Sequence, residues 1–192
     1  MTETTTATNT RTWNGLNIPI AGTFALDAAH TNAGFVAKHM MVSKVRGKFD
    51  EITGTLNLAD DPTQSTVEVS IKTASINTGS GDRDNHVRSA DFFDVENYPE
   101  LTFRSTKITH AGDDEFVVTG DLTIKDVTKP VDLKATFEGL SVNPWGAQVV
   151  GFSATTQIDR EDWGLSWNAA LETGGVLVSK KITIEIDTEL NP

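Results

Sequence analysis

His30, His39 and His86 are the side chains of this chain best suited to acid–base work or metal binding near neutral pH. No His-x-x-x-His spacing puts two of them on one helix face, and the chain has no cysteine to add a thiolate ligand. They read as hydrogen-bonded histidines, so neither a metal nor another cofactor is expected. Arg83, Asp84 and His86 follow Gly79-Ser-Gly81 at the start of a short helical pattern. A helix N-terminus behind glycines can hold a phosphate, and an arginine can pair with one. Asp82 and Asp84 sit at the same terminus, where they would repel an anion and read better as capping acids. Arg83, His86 and His39 are candidates for holding the polar end of a ligand, with helix capping and ordinary hydrogen bonding the better reading. Asp159, Glu161 and Asp162 beside Trp163 could suggest paired glycosidase carboxylates. Adjacency in sequence does not supply the separation across a substrate that such chemistry needs. Nothing matches a nucleophile elbow, a P-loop or a dinucleotide fingerprint.

The elements that must position these residues are strands. From Gly22 onward the pattern has period two, the mark of half-buried β-structure. Phe24 and Leu26 share a face, and Phe35 and Ala37 share the next. Val45, Gly47 and Phe49 alternate with Lys44, Arg46 and Lys48, which places that basic cluster on an outer, solvated face. After Phe49 the phase slips to Ile52, Gly54, Leu56 and Leu58, so a bulge or sharp bend is expected near Asp50-Glu51. Val67-Val69-Ile71, Leu101-Phe103, Phe116 to Ile124, Val131 to Phe137, Val150 to Ile158 and Ile182 to Ile186 continue the series. Turns are expected at His110 to Asp114 and at Val142 to Gly146. Roughly eight strands joined by short connections predict an all-β antiparallel meander, closed into a barrel or packed as a sandwich. A barrel of about eight strands can hold one small ligand.

Two segments break the strand pattern. Gly79 to Pro99 opens with glycines, passes through a helical stretch, and reaches the Phe92-Phe93 pair and Tyr98-Pro99. Val87 and Ala90 precede the phenylalanines at helical spacing, which predicts an apolar helix face. This segment is either a lid touching a ligand or a cap on the barrel's own core. Arg160 to Gly175 is the second excursion and carries Trp163 and Trp167.

Composition bounds the rest. The 192 residues suit one domain, with four Trp and nine Phe to fill a core. Lys plus Arg is 16 against 27 Asp plus Glu, a net charge of −11. That balance argues against nucleic acid and against a polybasic membrane patch. No apolar run is long enough to span a bilayer. The Thr-rich start lacks the features of a secretory signal, so the expectation is a cytoplasmic protein. Residues 1–21 are read as a flexible tail, with Trp13, Leu16, Ile18 and Ile20 leaning on a domain over residues 22–190.

One family pattern runs through these elements. Leu26-Asp27, His30-Thr31, Phe35-Val36 and Val45-Arg-Gly-Lys-Phe49 are followed by Ser75-Ile-Asn-Thr78, Arg83-Asp84 and Ser89-Ala-Asp-Phe-Phe-Asp94. Gly120-Asp-Leu-Thr-Ile124, Thr128-Lys-Pro-Val131 and Ile158-Asp-Arg-Glu-Asp-Trp-Gly164 complete it. In this order the chain resembles the YceI-like family, lipocalin-like bacterial proteins that bind polyisoprenoids, over about residues 22 to 188. The resemblance implies an elongated antiparallel barrel, with one or two short helices closing the mouth, around an apolar tunnel. It implies a polyisoprenoid lipid or a quinone-like molecule as ligand. Many family members are exported, whereas this chain shows no export signal.

The site expected from residues and resemblance together is a wall of Phe24, Phe35, Phe49, Phe103, Phe137 and Phe152, with Phe92, Phe93 and Trp163 near the mouth. The protein is read as a non-catalytic binder or carrier. The alternatives are an enzyme acting on an isoprenoid lipid, with His30, His39 or His86 as its acid or base, and a stress-linked interaction module with an incidental cavity. A barrel rim or sheet edge could support a homodimer.

Overall fold

The computed structural model describes residues 9–172 and 174–192. Period-two alternation produces strands wherever the sequence showed it, and the strands join into one ring. Three of its staves are interrupted. β3 (Gly22–Leu26) continues as β4 (Asn32–His39), β5 (Ser43–Phe49) as β6 (Ile52–Leu58), and β7 (Thr66–Lys72) as β8 (Ile76–Asn77). The other five are unbroken: β9 (Glu100–Gly112), β10 (Glu115–Ile124), β11 (Val127–Val142), β12 (Gln148–Asp159) and β13 (Lys181–Asn191). Each stave pairs antiparallel with its neighbours. β13 closes the ring, pairing with β12 from Val150↔Leu190 to Asp159↔Lys181 and with β3 and β4 on its other side. The result is an all-β, eight-stranded, closed antiparallel barrel with, among the described residues, a single α-helix.

The breaks in the first three staves have local causes. The expected bend at Asp50-Glu51 separates β5 from β6. Asp50 and Glu51 donate their N–H groups to the Ser75 carbonyl and hydroxyl, at 3.1 and 3.0 Å. Ser75 itself lies in the turn that separates β7 from β8, so adjacent staves bend at the same level. Between β3 and β4, Asp27 caps the turn Ala28–His30 by accepting the Ala29 N–H.

Two glycines let aromatic rings lie flat on the wall. Phe35 pairs with Gly47 across β4 and β5, and a Cβ on Gly47 would meet the Phe35 ring at 2.4 Å. A Cβ on Gly120 would meet the Phe103 ring at the same distance. In β5 the alternation is as expected: Lys44, Arg46 and Lys48 are exposed, while Val45, Gly47 and Phe49 are half-buried.

The core divides into two clusters along the barrel. One contains Ile18, Phe24, Leu56, Ile108, Phe116, Phe137, Val150 and Leu190. The other contains Ile52, Ile71, Phe92, Leu101, Phe103, Leu122, Trp163 and Leu165. The first lies under a hairpin of β1 (Thr10–Trp13) and β2 (Leu16–Pro19), within the segment expected to be a flexible tail. Trp13 stacks on Phe116 at 6.0 Å and meets His110 edge-on at 4.9 Å, while Ile18 is buried. Residues 1–8 of that expected tail lie outside the described residues. The second cluster lies under α1 (Gly81–Arg88) and the segment after β12. We call these the hairpin end and the helix end.

The helix corrects one expectation. α1 has no apolar face: its buried residue is Asp84, and Val87 is only half-buried. Polar bonds hold it instead. Asp84 accepts the Thr78 N–H at 2.8 Å and the Thr78 hydroxyl. Arg88 donates to the Ala74 and Ile76 carbonyls, each at 2.8 Å. The apolar mass predicted for the helix falls on Phe92, in the turns that follow it.

Candidate functional site: an apolar cavity along the barrel

The inward residues of the staves do not meet in the middle. They surround a cavity of about 690 Å³ that reaches from Ile18 and Pro19 at the hairpin end to Arg83 and His86 at the helix end. This volume lies within the roughly 300–1,000 Å³ range of small-molecule sites. The lining is almost wholly aliphatic and aromatic, supplied by every stave of the ring.

Of the expected wall, Phe35, Phe49, Phe92, Phe93, Phe103, Phe137 and Phe152 line the cavity. Phe24 and Trp163 do not. Phe24 is 3% exposed and lies in the hairpin-end cluster behind Ile18, Leu56 and Leu190, which take the lining positions. Trp163, also 3% exposed, is turned into the wall. Its indole N–H donates to the Leu122 carbonyl at 3.0 Å, and the Lys129 ammonium lies 6.0 Å from its ring. Trp167 takes the cavity position instead.

Arg83, His86 and His39 all reach the lining at the helix end. Two of the three already have strong partners. Arg83 donates Nε to the Thr78 hydroxyl and Nη2 to the Thr78 carbonyl, each at 2.8 Å. His86 Nε2 lies 2.9 Å from Asp91, and its ring meets Trp167 edge-on at 4.5 Å. His39 is half-buried, with its backbone bridged to Val178. His30 is not in the site: it is 62% exposed on the outer wall, with Nδ1 2.9 Å from Asp27. The Asp27 hydrogen bond and charge, helped by Glu189, hold the His30 imidazole above its ordinary pKa, and the His30 bond holds the Asp27 carboxyl below its own. Asp27, His30 and Glu189 bring ligand-type atoms within 4.8 Å of one another, on the protein surface.

Sequence reasoning missed two notable lining residues. Phe116 was placed on the apolar face of β10 yet not among the wall candidates. Arg160 was passed over inside a charged run. The signal for Arg160 was available: Val150, Phe152, Ala154, Thr156 and Ile158 alternate inward, and 160 is the next position in phase. It is 5% exposed and lines the cavity. Nε donates to the Ser179 carbonyl at 3.0 Å, Nη1 donates to the Leu165 carbonyl, and the guanidinium lies 5.8 Å from the Phe92 ring. Burial pushes this guanidinium below its ordinary pKa, against the opposing pull of Glu161 and Asp159.

No described helix is long and apolar enough to cross a membrane. The YceI-like domain model matches residues 24–190. A UPF0312 protein of Staphylococcus aureus (strain bovine RF122 / ET3-1) is 39% identical over 173 residues, covering 88% of this chain and 96% of its own. Among solved structures, Burkholderia cenocepacia BcnA superposes with a TM-score of 0.75 at 24% identity, over 85% of this chain and 98% of its own. A polyisoprenoid binding domain from Saccharophagus degradans superposes at 0.69 with 18% identity, over 88% and 97%. The barrel, the match along nearly the whole barrel sequence and these relatives place the chain in the YceI-like family.

Proposed function

We propose that this protein binds one long-chain apolar lipid, a polyisoprenoid or a quinone-like molecule, inside the barrel, and carries it without changing it chemically. The observation that carries this reading is the 690 Å³ apolar cavity extending from one end of the barrel to the other. Such a space suits a flexible hydrocarbon chain. Each methylene-sized group moved from water contributes about 0.8 kcal/mol. A few isoprene units therefore offset part of the roughly 4–15 kcal/mol lost in immobilising a ligand. The likeness to a polyisoprenoid binding domain supports the ligand class by analogy. At the helix end the polar lining is already engaged within the protein: Arg83 is bonded to Thr78 and His86 to Asp91.

The test is to purify the protein from its own host, extract it with organic solvent and identify the extract by mass spectrometry. A stoichiometric isoprenoid is the expected result. A blank extract from correctly folded protein would sink tight constitutive carriage. Turnover of a bound lipid that is lost with His86→Gln or His39→Gln would replace the carrier with an enzyme.

A further inference from the structure

We infer that the tip of the β4–β5 hairpin is a docking surface for a lipid bilayer bearing anionic headgroups. This goes beyond the carrier reading and stands on observations of its own. The tip is Met40-Met41-Val42, and all three side chains are exposed, Val42 by 85%. Three consecutive exposed apolar residues are a cost to a protein surface unless something covers them. The backbone sharpens the point. The Val42 N–H donates to the His39 carbonyl at 3.1 Å, and the two residues between them, Met40 and Met41, have φ of 51° and 61°. Positive φ at both centres of a hairpin turn suits Asn and Gly and strains a longer side chain. Two methionines thus stand where the turn itself favours Asn-Gly. Strain of this kind points to what the side chains meet outside the fold.

Basic side chains stand behind the tip. Lys38 and Lys44 lie directly opposite each other across β4 and β5, next to the pair His39↔Ser43 that closes the turn. Lys180 and Lys181 join them, with Met41, around a groove on the outer wall, and exposed Arg46 follows Lys44 on the same face of β5. Like charges directly opposite destabilise a sheet. Lys180 pairs with Glu161, but Lys38, Lys44, Arg46 and Lys181 make no ion pair among the described residues. Glu185 lines the groove as well, against four lysines.

The net charge of −11 opposes an anionic surface at long range, but salt screens that field and the acids lie away from the tip. Asp60, Asp61, Asp113, Asp114 and Glu115 are exposed in turns at the hairpin end. Exposed Trp145 is at that same end, with those acids and not with the lysines. Asp82, Asp91 and Glu96 are exposed in and after α1, which directs the approach to the β4–β5 side. An apolar crest with cations behind it is the arrangement of an interfacial anchor. The crest enters the acyl boundary while lysine stems reach back to the phosphates. The tip also adjoins the cavity: the Met40 N–H donates to the Leu177 carbonyl at 2.8 Å, and His39, Leu177 and Val178 line the cavity. Docking would set that end of the cavity against the bilayer.

Vesicle flotation tests this, comparing phosphatidylcholine mixed with phosphatidylglycerol against phosphatidylcholine alone. The protein is expected to float with the mixture, not with phosphatidylcholine alone, and to detach as salt is raised. Lys38→Gln combined with Lys44→Gln is expected to weaken binding about twentyfold. Met40→Asn combined with Met41→Gly is expected to weaken it about tenfold, while its urea midpoint stays level or rises. A structural role for the methionines gives the opposite, a lowered midpoint, and that result overturns the docking surface. Absence of flotation, equal flotation with both vesicles, or binding untouched by the two variants overturns it too. Should flotation be absent while sedimentation velocity shows a dimer that the tip variant dissolves, the patch belongs to a second copy of this chain. Mass spectrometry of the solvent extract reads the cavity's ligand separately, so either reading can fail alone.

Discussion

The hairpin end of the barrel is closed by carbon, and the helix end is closed by hydrogen bonds. At the first, Trp13, Phe116, Ile18 and Val150 pack against one another, and hairpin and staves share one apolar cluster. At the second, α1 brings almost no apolar surface, and Asp84, Arg83 and Arg88 tie it to Thr78, Ala74 and Ile76. The same apolar wall thus meets a dry plug below and a polar, arginine-bearing closure above. The difference lies in what each closure could select in a ligand. Dispersion and burial are non-directional and suit any chain, whereas donors at fixed angles select the group that ends it.

The comparison breaks most readily at Phe116. Phe116→Ala removes the ring that bridges the hairpin and the core, and should destabilise the protein by about 3–5 kcal/mol in urea denaturation. Hydrogen exchange should quicken at the hairpin while residues 78–90 stay unchanged. Quickening in residues 78–90 would mean that the two ends are not held separately.

Removing the hairpin outright tests whether residues 22–190 form the domain. A chain beginning at Gly22 should still fold, with about 3 kcal/mol less stability from the loss of Ile18 and Trp13 burial. Near-ultraviolet circular dichroism would decide, since a native-like spectrum with a lower urea midpoint is expected. Loss of the spectrum would make the hairpin part of the folding unit.

At the helix end the effect should be smaller and of a different kind. Asp84→Ala deletes a buried acceptor of two bonds and should lower stability by about 2 kcal/mol. Hydrogen exchange should then quicken in residues 78–90 and leave the hairpin unaffected. Uniform quickening across the barrel would contradict an independently held closure.

The smallest effect belongs to the outer wall, away from both ends. The Asp27 bond raises His30, so the pair's contribution through His30 is complete below the ordinary histidine range and fades as pH rises through the raised value. His30 lowers Asp27, so the contribution through Asp27 is present above the ordinary value of 3.8 and fades as pH falls through the lowered one. The pair therefore acts between those limits. In Asp27→Asn the His30 titration followed by NMR should move to lower pH, with lipid binding unchanged. An unmoved midpoint would show that the bond does not hold in solution.

Much of this architecture was legible. The β5 alternation separated Lys44, Arg46 and Lys48 from Val45, Gly47 and Phe49, and the phase slip located the Asp50-Glu51 bend. The β10–β11 hairpin was less so: its turn at Lys125-Asp126, with Lys125 in the left-handed region at φ 56°, has no glycine to announce it. The strand was consequently read only from Val131, although Val127 to Pro130 already pair with Asp121 to Ile124. The helix misled because its sequence spacing admits an apolar side, while polar bonds to residues before it decide its seat. Phe24 and Trp163 are buried as expected of large aromatics, but burial does not specify which side of a wall a ring faces.

Alternation is a property of one strand, carried by two-residue spacing, so the sequence alone determined that this chain is all-β and which residues of a strand share a face. Closure is a property of eight strands at once. It required β13 to pair with β12 on one side and with β3 and β4 on the other. Whether inward side chains fill the ring or leave it hollow depends on their summed volume against its diameter. The seat of Arg160 depends on carbonyls from residues 165 and 179, brought to it by the turn that follows β12. Those relations exist only between parts of the chain distant in sequence, and only the tertiary structure could decide them.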